Sequence, residues 1–311
     1  MTSISMINPG QSQRTLAIGK AIRKNLSFFF VVPALVLFLV FVLYPIIYIF
    51  RASLYEWNGL SAGTFIRLNN YIQLITSDRG FHLALRNSFY WTFLTIFPQM
   101  FLGFILAYIL NSRIIGKNIF RMIFYMPAII SPIVIGIVWE RIYNPFGGLL
   151  ADVGRVTGLA FLQQSYVSDP KLAIFSCIAV NVWQWTGFSM LLYLAGLQGL
   201  SEEVLDAAAV DGANLLQKIR HVVWPMLRHV HLTLILLGVI GTLQTFALIF
   251  VLTKGGPNHA SEMLPTYIFQ NAFQLSQMGY ASAISVVLLL LALILSLFQV
   301  VVLGARFSLH E

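Results

Sequence analysis

Long apolar runs alternate with short polar stretches along this chain of 311 residues, and six windows carry no Asp, Glu, Lys or Arg: 25–50, 87–112, 122–139, 172–201, 229–253 and a stretch within 263–305. Each is long enough, or nearly so, to cross a hydrocarbon layer of about 30 Å as a helix. The pattern predicts an all-α, polytopic membrane protein with six transmembrane helices, the last centred on Gly279 to Leu303. Pro33, Pro45, Pro98, Pro127 and Pro132 fall inside the windows, where a missing backbone donor bends a helix unless neighbours satisfy the freed carbonyl.

Composition agrees with the pattern. Hydrophobic residues make up 58% of the chain, charged residues 10%, and the mean hydropathy is +0.81. The first window is too long for the roughly 7- to 15-residue apolar region of a cleavable signal, so it reads as a retained helix. Lys and Arg near the span ends set the expected orientation. Arg14, Lys20, Arg23 and Lys24 precede span one without an acid, and Arg113, Lys117 and Arg121 follow span two. Both segments are expected to be cytoplasmic, as are both termini and the loop between spans four and five. Residues 51–86, 140–171 and 254–278 fall outside, and the first two of these are expected to form short interfacial helices. The formal charge of +8 then records membrane topology, and nucleic acid is not an expected partner. The expected division is a basic tail 1–25, a transmembrane domain 26–305 containing the loop 201–226, and a tail 306–311.

That loop breaks the apolar rhythm with "LDAAAVDGANLLQKIRHVVWPMLRHV". Ser201 suits an N-cap, Glu202 and Glu203 suit the first turn of a helix, and Gly212 suits its end. A second short helix is expected to run from Asn214 to a bend at Pro225. Three alanines keep one turn slim, so another protein's backbone can approach it.

The loop resembles that of the permease subunits of binding-protein-dependent ABC importers, in which E-A-A-x-x-x-G is followed after nine residues by I-x-L-P. The matching residues are Asp206, Ala207, Ala208, Gly212, Val222 and Pro225, with Asp211 inside the motif; Asp206, Val222 and Trp224 replace the Glu, Ile and Leu of the pattern. "FIRLNNYIQLI", "NVWQWTGFSMLLYLAGLQGL" and "FALIFVLTKGGP" are similar to segments of the maltose-type carbohydrate branch, and the likeness runs from Leu26 to Arg306. The resemblance implies that the helix pair inserts into a cytoplasmic ATPase, and that the chain works with a second permease subunit as a heterodimer, an ATPase dimer and an extracytoplasmic solute-binding protein in the inner membrane. ATP and Mg are then bound by the partner ATPase, with no cofactor in this chain.

Other features fit a subunit driven from outside. The chain has no G-x-x-x-x-G-K-[ST] phosphate loop. Its span cores carry no Asp or Glu for a proton relay, which argues against a stand-alone secondary carrier. A membrane-embedded enzyme would call for clustered His, Asp or Glu at one interface, and Glu140 with Arg141 is the nearest approach. Cys177 has no pairing partner and lies within span four. His229 and His231 lack a third metal ligand nearby.

Polar residues inside apolar spans mark the candidate path. Asn181, Gln184 and Trp185 share one face of span four at i, i+3 and i+4, and Gly238, Gly241, Thr242 and Thr245 recur at helical spacing in span five. Amides, hydroxyls and an indole suit the hydroxyls and C–H face of a sugar. Close packing against a second permease explains the Gly and Thr residues equally well. A di- or oligosaccharide is the expected cargo. A polyol or glycerol phosphate is the alternative, against which stands the lack of Lys or Arg in mid-span.

Overall fold

The computed structural model describes residues 31–112, 114–299 and 301. The four basic residues of the N-terminal tail, Arg113, the tail 306–311 and the start of span one lie outside the described residues. The chain divides into two units, 1–52 and 53–311. In the first, one apolar helix, α1, covers Val31–Ala52 and includes a π turn at Leu39–Leu43.

The second unit begins with a two-residue antiparallel ladder, β1 (Tyr55–Glu56) with β2 (Thr64–Phe65), a small departure from an all-helical chain. Helices follow in order: α2 (Asn69–Thr76), α3 (Arg79–Asn111), α4 (Lys117–Ile129), α5 (Pro132–Ile142), α6 (Leu149–Thr157), α7 (Ala173–Gln198) and α8 (Glu202–Val210). Then come α9 (Leu215–Met226) and α10 (Arg228–Leu243), α11 (Ala247–Leu252), α12 (Leu264–Phe269) and α13 (Met278–Phe298).

Among the described residues, α1, α3 and α13 are long and apolar enough to cross a membrane, and the bent pairs α4–α5 and α9–α10 raise the number to five. Helix α7, the expected fourth span, runs 26 residues unbroken, about 39 Å at 1.5 Å per residue. Two of the six windows, the third and the fifth, are interrupted. The third window turns by 97° between α4 and α5, because Ser131 precedes Pro132 and a residue before proline is pushed out of the helical region; Ile130 and Ser131 have ψ 138° and 134°. The fifth window stops at Gln244 and restarts at Ala247. There Thr242 donates to the Val239 carbonyl and Thr245 to that of Gly241, so hydroxyls compete with the helical ladder.

Pro98 sits inside α3 without breaking it. Pro45 and Pro225 each follow a π turn, Leu39–Leu43 and Ile219–Val223, closed by the amide of the residue before the proline. The ladder widens by one residue where the proline cannot donate.

Three apolar clusters hold the second unit. The largest joins Phe104 and Ala107 of α3, Tyr193 and Leu197 of α7, Val223 of α9 and Leu234 of α10. A second gathers Trp91, Ile135, Cys177 and Ile249, and a third Leu74, Phe81, Tyr267 and Ile284. Small residues let the helices close: a Cβ on Gly103 of α3 would lie 2.6 Å from Ser189 Cβ, and one on Gly187 would overlap the Phe124 carbonyl of α4.

Candidate functional site

The sequence-predicted residues fall in two regions. Asn181, Gln184, Trp185, Gly238, Gly241, Thr242 and Thr245 all line one cleft of about 360 Å³. Helix α7 brings the first three, buried at 8% and 1% exposure for Asn181 and Gln184. Gln184 Nε2 donates to the Ile130 carbonyl at 3.3 Å, so this amide satisfies an acceptor freed by the α4–α5 break. On α10, a Cβ at Gly238 would press on Ile96 at 2.8 Å, whereas one at Gly241 would meet nothing within 4 Å. Gly238 thus serves close packing on α3, and Gly241 faces open space. Thr242 Oγ1 lies 3.0 Å from Thr92 Oγ1 and ties α10 to α3. The packing of Gly238 and Thr242 is thus on α3 of this same chain.

The cleft also takes in Gln99, Phe188, Gln244 and Phe246, which sequence reasoning missed. Gln244 and Phe246 arrive through the break in the fifth window, where irregular backbone borders a cavity as membrane-embedded structure requires. Gln99 Nε2 donates to Ser189 Oγ at 2.8 Å. None of the lining residues is ionisable.

The second region is the helix pair. Helix α8 starts after Ser201, whose side chain makes no capping bond, and its first turn carries Glu202 and Glu203. It ends in a Schellman turn: the Gly212 amide donates to Ala209 and the Ala213 amide to Ala208, with Gly212 at φ +77°. Asn214 and Gln217 form a reciprocal capping box that starts α9. The bend expected at Pro225 falls at Leu227, where α9 and α10 meet at 65°, because the π turn absorbs the missing amide. Asp206, Ala207, Asp211, Gly212 and Pro225 are exposed, and Ala208 and Val222 half-buried. Beside them Val210, Leu215 and Leu216 stand 88%, 62% and 72% exposed.

Trp224, 39% exposed, makes ring contacts on its inner side. Its ring meets Phe104 edge-on at 5.1 Å and lies 4.2 Å from His231. His231 Nε2 lies 3.0 Å from the Trp224 carbonyl and Nδ1 2.8 Å from the Tyr193 hydroxyl. A carbonyl only accepts, so Nε2 carries the proton and Nδ1 accepts from Tyr193. Among the described residues no group of three or more His, Cys, Asp or Glu is placed to hold a metal ion.

The profile of one family, described as binding-protein-dependent transport system inner membrane component, matches residues 99–306. This chain belongs to that family. It is 37% identical over 279 residues to the probable ABC transporter permease protein YurN of Bacillus subtilis, covering 89% of this chain and 95% of the relative. Over 289 residues it is 32% identical to the multiple sugar-binding transport system permease protein MsmF of Streptococcus mutans, covering 92% and 97%. The crystal structure of a bacterial alginate ABC transporter, in complex with its alginate pentasaccharide-bound periplasmic protein, shares the fold with a TM-score of 0.78 at 21% identity, covering 90% and 94%.

The loop after α11 is tied to α3 by hydrogen bonds. Asn87 Nδ2 reaches the carbonyls of His259, Ala260 and Glu262 at 3.0 to 3.2 Å. Glu262 is buried at 3% exposure, accepts from Thr266 at 2.5 Å and lies 3.0 Å from His259 Nδ1. Burial pushes its carboxyl above the usual range, while the hydrogen bonds from Thr266 and His259 pull it back.

Proposed function

We propose that this family member is the membrane-spanning, cargo-conducting subunit of an ATP-driven importer for a neutral di- or oligosaccharide, in a bacterial or archaeal cytoplasmic membrane. It pairs with a second permease subunit as a heterodimer, receives cargo from an extracytoplasmic solute-binding protein, and is driven by an ATPase dimer that binds ATP and Mg. Six spans with both termini inside place the α8–α9 pair against the ATPase. The observation that carries the reading is the convergence of seven residues, six from α7 and α10 and Thr245 from the break after α10, on one cleft whose lining is free of ionisable groups. Amides and hydroxyls there match sugar hydroxyls, and Trp185 and Phe246 supply flat apolar faces. The names of relatives such as MsmF support a saccharide.

ATP binding shifts a conformational equilibrium only if it favours one state. In this chain the exposed ridge of Asp206, Ala207, Val210 and Leu215 is the surface offered to such a partner. The test is uptake by the complete reconstituted transporter carrying Asn181→Leu with Thr245→Val. Sugar uptake is expected to fall at least ten-fold while the solute-binding protein keeps its affinity for sugar. Unchanged uptake removes the cleft from the path, and uptake of a glycerol phosphate in preference to sugars overturns the neutral-cargo reading.

A further inference from the structure

Helix α6 presents three different faces. Ala151 and Gly154 are buried, and a Cβ on Gly154 would lie 2.8 Å from Gln163 Cγ and 3.0 Å from Leu162 Cβ, so this face is closed by the chain itself. Asp152 and Arg155 pair on a second face, both more than half exposed. On the third, Leu149, Val153 and Val156 stand at i, i+4 and i+7, 61%, 41% and 89% exposed, and Phe146 just before the helix is 95% exposed. At 3.6 residues per turn the three helical positions fall within roughly 60° of one another. Among the described residues of the second unit, none closes over this stripe.

The level of α6 is marked independently. The last turn of α5 carries Glu140 and Arg141, the first charges after an apolar run. The rings of Trp139 and Trp183 meet there with centroids 5.5 Å apart, Trp183 being 45% exposed, while Tyr143 beside Trp139 is buried in the core. Trp and Tyr collect where a membrane meets water. The chain turns into α6 directly on the end of α5: the Gly148 amide donates to the Asn144 carbonyl at 2.9 Å.

We propose that α6 lies in the plane of the membrane surface, with Phe146, Leu149, Val153 and Val156 seated among acyl chains and the Asp152–Arg155 pair at headgroup level. The partner of this face is the lipid bilayer. An amphipathic helix at an aromatic belt gains by burying its apolar stripe several ångströms into the boundary region. The helix then anchors the end of α5 against the bilayer. This inference holds whichever cargo the cleft carries.

The test uses the complete transporter in nanodiscs of phosphatidylethanolamine and phosphatidylglycerol, with nitroxide labels on Leu149→Cys, Val153→Cys, Val156→Cys and, as a control, Asp152→Cys. The native Cys177 is fully buried and stays unlabelled. Relaxation by oxygen is expected to exceed relaxation by an aqueous nickel chelate several-fold at 149, 153 and 156, with the order reversed at 152. Chelate dominating at all four positions overturns the proposal. Photoreactive benzoylphenylalanine at Val156 gives a second readout that does not depend on the labels: adducts are expected with lipid, and adducts with the solute-binding protein or the second permease instead make the stripe a protein contact.

Discussion

Gly212 isolates the cost of one backbone conformation. Its φ is +77°, and a Cβ built there meets nothing within 4 Å, so Gly212→Ala adds no steric contact. The left-handed conformation costs an L-residue about 1–2 kcal/mol, and about 0.4–1 kcal/mol returns because alanine has less freedom to lose on folding. The net loss is about 0.8 kcal/mol at mid-range and at most about 1.6 kcal/mol, or roughly a 4-fold and at most a 14-fold rise in opening of the α8–α9 turn at 1.4 kcal/mol per decade. Hydrogen exchange reads it at two amides, those of residue 212 and Ala213, which donate to Ala209 and Ala208. Asn tolerates the left-handed region better, so the expected order of protection is Gly, then Asn, then Ala. The same order is expected for substrate-stimulated ATP hydrolysis by the complete transporter. Equal exchange in all three proteins, or alanine better protected than asparagine, would refute the argument that this turn holds the pair in register.

Gly187→Ala is expected to be severe despite its size, because the new methyl overlaps the backbone of Phe124 in α4, which has no side-chain end to move; overpacking of this kind costs about 1–3 kcal/mol, read as a lowered Tm of the purified complex. The Glu262 carboxyl, raised above its ordinary 4.5 by burial, binds its proton more tightly in the folded loop than in the unfolded chain. Its contribution to stability is therefore full below 4.5 and is lost as pH rises through the raised value. His259, whose Nδ1 lies 3.0 Å from Glu262, and Tyr267 face the same carboxyl. Hydrogen exchange of 253–263 is expected to speed up from pH 5 to pH 8 beyond the intrinsic rate, and Glu262→Gln to flatten that dependence; a slope unchanged in the variant assigns it to other groups.

Apolar windows locate helices because burial in lipid demands them, but they carry no information on continuity. One break was legible in principle, since Pro132 forces Ser131 out of the helix. The break at Gln244–Phe246 was not, because it turns on whether Thr242 and Thr245 donate back to their own helix. Spacing placed Asn181, Gln184 and Trp185 on one face without saying that Gly238 and Thr245 lie opposite, and Gln99 was invisible for the same reason: nothing within α3 distinguishes its side from that of Phe93 or Phe97. Local sequence carries no sign of the burial of Glu262, which depends on Thr266 and on Asn87, some 175 positions earlier in the chain.

Helix α10 lines the cleft and meets α9 of the helix pair at Leu227, so with the proposed function a push on the pair would reach the cleft through this joint. Leu227 and Val223 are buried at 1% and 2% exposure in the same cluster as Leu234 and Leu243. Trp224 lies near this 65° elbow against Phe104, and His231 bonds both the Trp224 carbonyl and Tyr193 of α7. A joint packed and bonded in this way passes displacement to α10 as a rod, and Gly238 lies about 16 Å along it from Leu227. The rod ends at the broken segment that lines the cleft. His231→Phe keeps the ring and removes both hydrogen bonds, each worth about 0.5–1.5 kcal/mol. With the proposed function, ATP hydrolysis is expected to persist while sugar moved per ATP falls two- to ten-fold, and Tyr193→Phe, which removes only one of the bonds, falls between His231→Phe and the parent protein. If the ratio of transport to hydrolysis stays constant across these variants, force does not reach the cleft through this elbow.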